Sequence, residues 1–353
     1  MRARRLRASL RGWGGVGAMA VVCALAVVFT LLLPLTQSRG DGSTGTGGPG
    51  LARGSQVRAD DHCADPAIKK APEEQTLSPS GADGDTIAKI KARPGEKRKL
   101  IVGVDQNSYR WGYRNPNSGP SGDLEGFDID LVHRIAQEIL GDPDDVVFKA
   151  IPTNQRIPAL QSGSVDMVVR TMTISCDRLD DVAFSAPYFK TGQQVLAPRS
   201  SDISGYDDTL AHKRICTAAG SIANTRLTAD HDAKKLIASA VVVPPVPNQL
   251  DCLVRLQLGE VDAVVTDGAL AASQAAQDPT VELKGGTFTD EYYGVAMNRG
   301  ADDLVRRVNQ ILVDYRKDTT DGWQASYDRW LSATLNKDST KSEPPPPVYL
   351  RTS

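Results

Sequence analysis

Two short stretches carry residues whose types and spacing could do chemistry. In VDMVVRTMTISCDR, Val165 to Arg178, an apolar run ends abruptly in Arg170, Thr171, Thr173 and Arg178. In LQLGEVDAVVTDG, Leu256 to Gly268, a similar run ends in Thr266 and Asp267. A guanidinium clamps a carboxylate through two parallel, charge-assisted hydrogen bonds. A threonine adds a hydroxyl and a backbone N–H, and a carboxylate can take an ammonium. Arg178 with Thr173 on one side and Asp267 on the other would match a small zwitterion such as a free amino acid. Taken singly, these residues have plainer readings. An arginine after a strand is commonly a surface ion partner, and Asp267 before Gly268 could cap the helix GALAASQAAQ.

The elements around these residues explain how the two sets could meet. LQSGSVDMVV (Leu160 to Val169) and LQLGEVDAVV (Leu256 to Val265) agree at seven of ten positions. Each reads as a helix end, a Gly turn and a buried strand. Around them strand and helix patterns alternate. KLIVGVD, VVFKAI and VDMVV read as strands, with the helices FDIDLVHRIAQEILG and RIPALQSG between them. The pattern restarts with RICTAA, AVVVPPV, DCLVRLQLG and VDAVV, then closes with YYGVAMNRG and helices over 302–315 and 322–331. Such alternation implies α/β units around largely parallel sheets, here in two lobes of like construction. Ligands of open α/β sheets sit beyond the carboxyl ends of the strands, where Arg170, Thr171, Thr173, Thr266 and Asp267 all fall. Facing lobes would bring both sets to one cleft, and a ligand touching both would hold the lobes shut.

The flanks read differently. Residues 16–35 form an uncharged run long enough for a bilayer at about 1.5 Å per residue. Arg2, Arg4, Arg5, Arg7 and Arg11 precede it without an acid, which predicts a cytoplasmic segment 1–15 and a transmembrane helix or signal anchor over 16–35. Cys23 within the run is a minor lipidation candidate, and Arg4-Arg5 faintly matches a twin-arginine export signal. Residues 36–98, with GDGSTGTGGPG, read as a flexible linker, and 336–353, with EPPPP, as a disordered tail. Without the five arginines the formal charge falls from −2 to about −7, which argues against a nucleic-acid partner. Four cysteines follow the apolar run, Cys63, Cys176, Cys216 and Cys252, and allow two disulfides in three pairings. No CxxC occurs and the histidines are scattered, so neither a metal nor another cofactor is expected.

The stretches GFDIDLVHRIA, RIPALQSGSVDMVV, MTISCDR, VAFSAPYF, VDAVVTD and YYGVAMNRG occur in order between Lys99 and Leu335. Together they resemble the polar-amino-acid solute-binding proteins of ABC importers (family 3), which include glutamine- and glutamate-binding proteins. The resemblance implies a periplasmic-binding-protein-like (type II) α/β fold, with lobe one at 99–191 and 292–335 and lobe two at 192–291. The hinge crossings would lie near Phe189–Gln193 and Thr289–Tyr292. It implies that Arg178 and Thr173 hold the α-carboxylate, and Asp267 with the Thr171 carbonyl the ammonium. Asp105 and an aromatic of SYRWGY, Tyr109, would line the side-chain pocket, and Ser221 and Ile222 of AAGSIA would present backbone N–H groups.

Arg170 departs from the family, whose glutamine binders commonly carry a small residue there. A second guanidinium favours an acidic ligand, glutamate or aspartate, with Arg170, or less strongly Arg156, at the distal carboxylate. Otherwise Arg170 points outward to Asp166 or Asp177. On this map Cys216, on the first strand of lobe two, would pair with Cys252, leaving Cys63 to pair with Cys176. The expected protein captures an amino acid outside the cytoplasm and delivers it to an ABC permease. One alternative is an amino-acid sensor signalling to a membrane partner or kinase pathway. The other is a cleft enzyme of the cyclohexadienyl dehydratase type, using Glu291 or Asp105 as its acid.

Overall fold

The computed structural model describes residues 65–95, 99–118 and 122–351 of the chain. The apolar run 16–35 and Cys63 lie outside them. Among the described residues no helix is long and apolar enough to cross a membrane.

Two short helices, α1 (Pro66–Lys70) and α2 (Asp85–Lys91), come first. Then follow β1 (Leu100–Val104), the small hairpin strands β2 (Asn107–Ser108), β3 (Gly112–Arg114) and β4 (Leu124–Glu125), α3 (Phe127–Leu140), β5 (Val146–Ala150), α4 (Arg156–Gln161), β6 (Met167–Val168), α5 (Cys176–Leu179) and β7 (Val182–Phe184). The chain crosses on β8 (Phe189–Thr191) into β9 (Gln193–Pro198), β10 (Arg214–Cys216), α6 (Ile222–Asp232), β11 (Val241–Val242), α7 (Gln249–Gln257), β12 (Ala263–Asp267), α8 (Gly268–Gln277) and β13 (Val281–Lys284). It returns on β14 (Glu291–Tyr293) to β15 (Ala296–Asn298), α9 (Asp302–Lys317) and α10 (Trp323–Trp330).

The two large sheets are built alike. One runs β5-β1-β6-β15-β7 and the other β11-β10-β12-β9-β13. In each, three parallel strands are followed by two antiparallel pairings. The sheets are therefore mixed rather than largely parallel. The extra antiparallel strands, β15 and β9, each come directly after a crossing, where the chain enters the sheet in the opposite sense.

The repeated V-D of the two matching stretches has a structural cause. Asp166 takes the backbone N–H of Ile101 at 2.9 Å, and Asp262 takes that of Arg214 at 2.7 Å. Arg93 neutralises the first and the Arg214 guanidinium the second. Each aspartate thus locks the entry to its repeat strand onto the neighbouring strand. Gly163 and Gly259 make the preceding turns with φ of 66° and 68°.

The crossings β8 and β14 pair antiparallel, Thr191 opposite Glu291 and Phe189 opposite Tyr293. Phe189 and Tyr293 reach into the core of lobe one against Trp111, with ring centroids 4.7 and 5.7 Å away. Such edge-to-face packing holds the hinge strands on that lobe.

Both flanks differ from their composition. In the expected linker, Ile87 and Ile90, three apart on α2, are buried, and Leu77 is fully so. Asp303 of α9 accepts the Ile87 N–H at 3.0 Å. The expected disordered tail is packed over 336–351. Leu350 and Arg351 donate backbone N–H groups to Glu74 and Thr76. Arg316 donates to the Pro345 carbonyl, and Lys190 of β8 donates its N–H to Ser342. Proline lacks a donor but keeps its carbonyl, and neighbouring elements supply the donors.

Candidate functional site

The end of β1 sets one wall. Asp105 is buried, and its carboxylate accepts the N–H groups of Gln106 and Asn107 and the Ser108 hydroxyl. Its remaining partner is Arg170, whose Nη2 lies 3.0 Å from Oδ2. Arg170 is 0 % exposed and also donates to the Thr153 hydroxyl and to Asn248 of the other lobe. The outward reading of Arg170 does not hold. It is fully buried and pairs with Asp105 rather than with Asp166 or Asp177. Its charge is compensated, because Asp105 neutralises it.

Thr171 follows with φ of 42°, a costly conformation for a β-branched residue. Its N–H donates to the buried carboxylate of Asp128 at 3.0 Å, and the Tyr188 hydroxyl donates to the other oxygen at 2.9 Å. Burial raises the Asp128 carboxyl to about 7, against the lowering effect of those two bonds. Sequence reasoning passed over Asp128 as part of a helix start, although it stands in GFDIDLV.

Arg178, on α5, is buried and donates to the Thr173 carbonyl at 2.6 Å and to the Gly220 carbonyl of lobe two at 3.0 Å. Arg156, on α4, also buried, reaches the same Gly220 oxygen at 3.2 Å. Neither has a carboxylate within ion-pair distance among the described residues. Burial lowers both guanidiniums, and Arg156 is pushed further down by the charges of Arg178 and Arg170. Gly220 is required here. Its φ is 73°, and a Cβ would lie 2.9 Å from the Asn154 Cα of lobe one. Ser221 caps α6 by accepting the Asn224 N–H, and Ile222 is the first residue of that helix.

At the end of β12, Thr266 and Asp267 are buried opposite Gln194 and Gln193 of β9. Asp267 makes no side-chain cap on α8, so the capping alternative falls. Its carboxylate instead accepts the Gln193 amide N–H. That amide also donates to Glu291 at 3.0 Å, and the Thr173 hydroxyl donates to Glu291 at 2.8 Å. Burial and then the charge of Glu291 raise Asp267 to about 7.

The structure therefore gathers Arg178, Thr173, Asp267, Arg170 and Asp105 at the facing edges of the two sheets. Tyr109 is half-buried, packs edge-on against Tyr113 at 5.0 Å and lies beneath the Arg110 guanidinium. Its described contacts do not tie it to the charged cluster. Gln193 and Glu291 gave no signal beyond lying on hinge segments. Cys216 and Cys252 are bonded, with Cα atoms 5.6 Å apart. Cys216 ends β10, the second strand of its lobe rather than the first. Cys176 is also disulfide-bonded, and the partner expected for it, Cys63, lies outside the described residues. Among the described residues no cluster could hold a metal ion.

Two like sheets, two crossings and a buried charged floor between them define a two-lobed binding protein of the periplasmic-binding type. The chain belongs to the bacterial extracellular solute-binding proteins, family 3, whose family model matches residues 100–333. It is 33% identical over 248 residues to the ABC transporter glutamine-binding protein GlnH of Bacillus subtilis, covering 70% of this chain and 85% of that one. It is 27% identical over 258 residues to the glutamate-binding protein GluB of Corynebacterium efficiens, covering 69% and 81%. A solved ancestral arginine-binding protein bound to glutamine superposes with a TM-score of 0.58 at 35% identity, over 66% of this chain and 97% of that one. These relatives bind solutes and are not enzymes, which sets aside the dehydratase alternative.

Proposed function

We propose that the cleft captures an α-amino acid carrying a second carboxylate, glutamate before aspartate, and hands it to an ABC-type importer. The observation that carries this reading is the pair Arg156 and Arg178. Two buried guanidiniums converge on one backbone oxygen, at 3.2 and 3.0 Å, and among the described residues neither has a carboxylate within ion-pair distance, although Asp267 acts on both through space. Buried charge is tolerated when paired, so the site is built for carboxylate groups brought by a ligand. In this reading Arg178 and Thr173 hold the α-carboxylate, with the N–H groups of Ser221 and Ile222 at the start of α6. Asp267 and the Thr171 carbonyl take the ammonium. Arg156, rather than Arg170, reaches the distal carboxylate, and the Asp105–Arg170 pair forms a neutral wall. A relative named for glutamate supports this ligand class, and one named for glutamine makes glutamine the second candidate.

Calorimetric titration with glutamate, aspartate and glutamine tests the reading. Arg178→Ala should weaken all three by roughly 100-fold or more, since a charge-assisted bidentate contact is lost. Arg156→Met should weaken glutamate about tenfold more than glutamine. Equal losses would shift the assignment to the neutral amide. For delivery, deletion of the gene should reduce uptake of labelled glutamate. Unchanged uptake with altered metabolic regulation would favour the sensor reading instead.

A further inference from the structure

We infer that Gln193 and Glu291, one from each hinge crossing, join Asp267 in a three-sided cradle that selects a primary ammonium. The inference rests on the amino-acid reading above and adds to it the two residues carried by the hinge.

Three buried polar groups meet at this point, and among the described residues none of them has a cation within ion-pair distance, the positive charges acting on Asp267 through space being Arg156 and Arg178. Gln193 is 1 % exposed and opens β9 just after the first crossing. Its amide nitrogen bridges Asp267 and Glu291. An amide placed between two carboxylates must turn its nitrogen to them, which fixes the direction of its oxygen. That oxygen, Oε1, is buried with no hydrogen-bond partner. A buried amide oxygen left unpaired is uncommon and marks a place where a donor belongs. Glu291 stands on β14, the return crossing, with Thr289 and Thr173 hydroxyls donating to its two oxygens at 2.8 Å each.

The cluster therefore offers two carboxylates and one neutral acceptor, joined only by an uncharged amide. Like charges this close in a buried setting repel. A cation with three tetrahedral N–H donors answers all three acceptors at once. A secondary ammonium has two donors and leaves one acceptor unpaired. The hinge holds the geometry. A Cβ on Gly192 would lie 1.9 Å from the Thr289 carbonyl, so the crossings touch backbone to backbone beside the cradle. The Gln193 N–H donates to the Thr289 hydroxyl at 2.7 Å, which in turn donates to Glu291. A ligand ammonium thus contacts both crossings and lobe two together.

Proton linkage gives a second readout. Asp267 lies at about 7, faced by Glu291 and Tyr293 from the β14 crossing, by Arg156 from α4, by Arg178 from α5 and by Gln193 from β9. An ammonium favours its ionised form, so binding near pH 7 should release part of a proton.

The experiment is calorimetric titration of the full chain with L-glutamate, L-glutamine and N-methyl-L-glutamate, in phosphate and in Tris at pH 7. Wild type, Glu291→Gln and Gln193→Met are compared. Wild type is expected to bind N-methyl-L-glutamate about 100-fold more weakly than L-glutamate. Each variant is expected to lose roughly 10- to 100-fold for L-glutamate and to narrow that discrimination. Glu291→Gln is also expected to suppress the buffer dependence of the heat. Variants that bind within twofold of wild type and keep its discrimination would overturn the cradle while leaving the amino-acid reading intact. Wild type that binds no amino acid would overturn both. If a variant loses its thermal transition, the wild-type discrimination decides alone, and equal affinity for the N-methyl ligand overturns the cradle.

Discussion

Asp105 and Arg170 face each other 3.0 Å apart, both buried, one at the end of β1 and the other just past β6. Asp105 has its other acceptor sites taken by two backbone N–H groups and a serine hydroxyl. The pair therefore contributes shape and polarity to the cleft without a net charge. Asp105→Ala should destabilise the protein by about 3–5 kcal/mol, because it leaves a buried guanidinium alone. Urea denaturation measures this. Its effect on binding should be similar for glutamate and glutamine, in contrast to Arg156→Met.

Stability should depend on pH through Asp267 and Asp128. Both carboxyls are raised from 3.8 to about 7, chiefly by burial. Each holds its proton more tightly when folded than when unfolded. Their contribution is therefore complete below about pH 4 and is lost as pH rises through about 7. The ligand-free protein should show a falling urea midpoint between pH 5 and pH 8. Asp267→Asn should flatten that fall, and an unchanged slope would contradict the assignment.

The bond between Cys216 and Cys252 closes a segment with a sequence separation of 36. On the chain-entropy estimate, a loop of that size is worth about 4 kcal/mol. Cys252→Ser should lower the thermal midpoint while leaving ligand affinity within about twofold, because both sulfurs lie in the apolar core of lobe two and touch none of the charged side chains. Scanning calorimetry and titration on the same samples test both halves.

The packed tail predicts a cost for truncation. Residues after Leu335 supply acceptors to Tyr327, Arg316 and Lys190, and Arg351 pairs with Asp302 at 2.8 Å. Removing 336–353 exposes those groups together with the apolar faces of Ala186, Leu312 and Val313, which line one pocket with Pro346, Pro347 and Tyr349. The thermal midpoint should drop by several degrees. An unchanged midpoint would show that the tail contacts add nothing to stability.

Much of the architecture was legible in local pattern. The stripe of Leu131, Ile135 and Ile139 fixed α3, and Gly141, with φ of 86°, ends it. The repeated L-Q-x-G-x-V-D-x-V-V implied two like lobes, because both copies solve the same problem of entering a buried strand from a helix. β9 was not foreseen. Its sequence QQVLAP is short and partly polar, and its place between β12 and β13 depends on pairing rather than on periodicity. Composition misjudged 65–95 and 336–351 for a related reason. Polar, proline-rich segments bury little surface of their own, but here the donors of α9 and β8 order them.

By itself the sequence determined which chemical groups stand at the strand ends, Arg178 and Thr173 after one and Asp267 after the other. Strand ends are set by local apolar runs and the turns that break them. Only the tertiary structure decided how the charges are shared. Arg170 found Asp105, 65 positions earlier, Arg156 joined Arg178 on the Gly220 carbonyl, and Gln193 came to lie between Asp267 and Glu291. The partner of a buried charge depends on which side chains a closed cleft brings within about 3 Å of it, and spacing along the chain does not encode that distance.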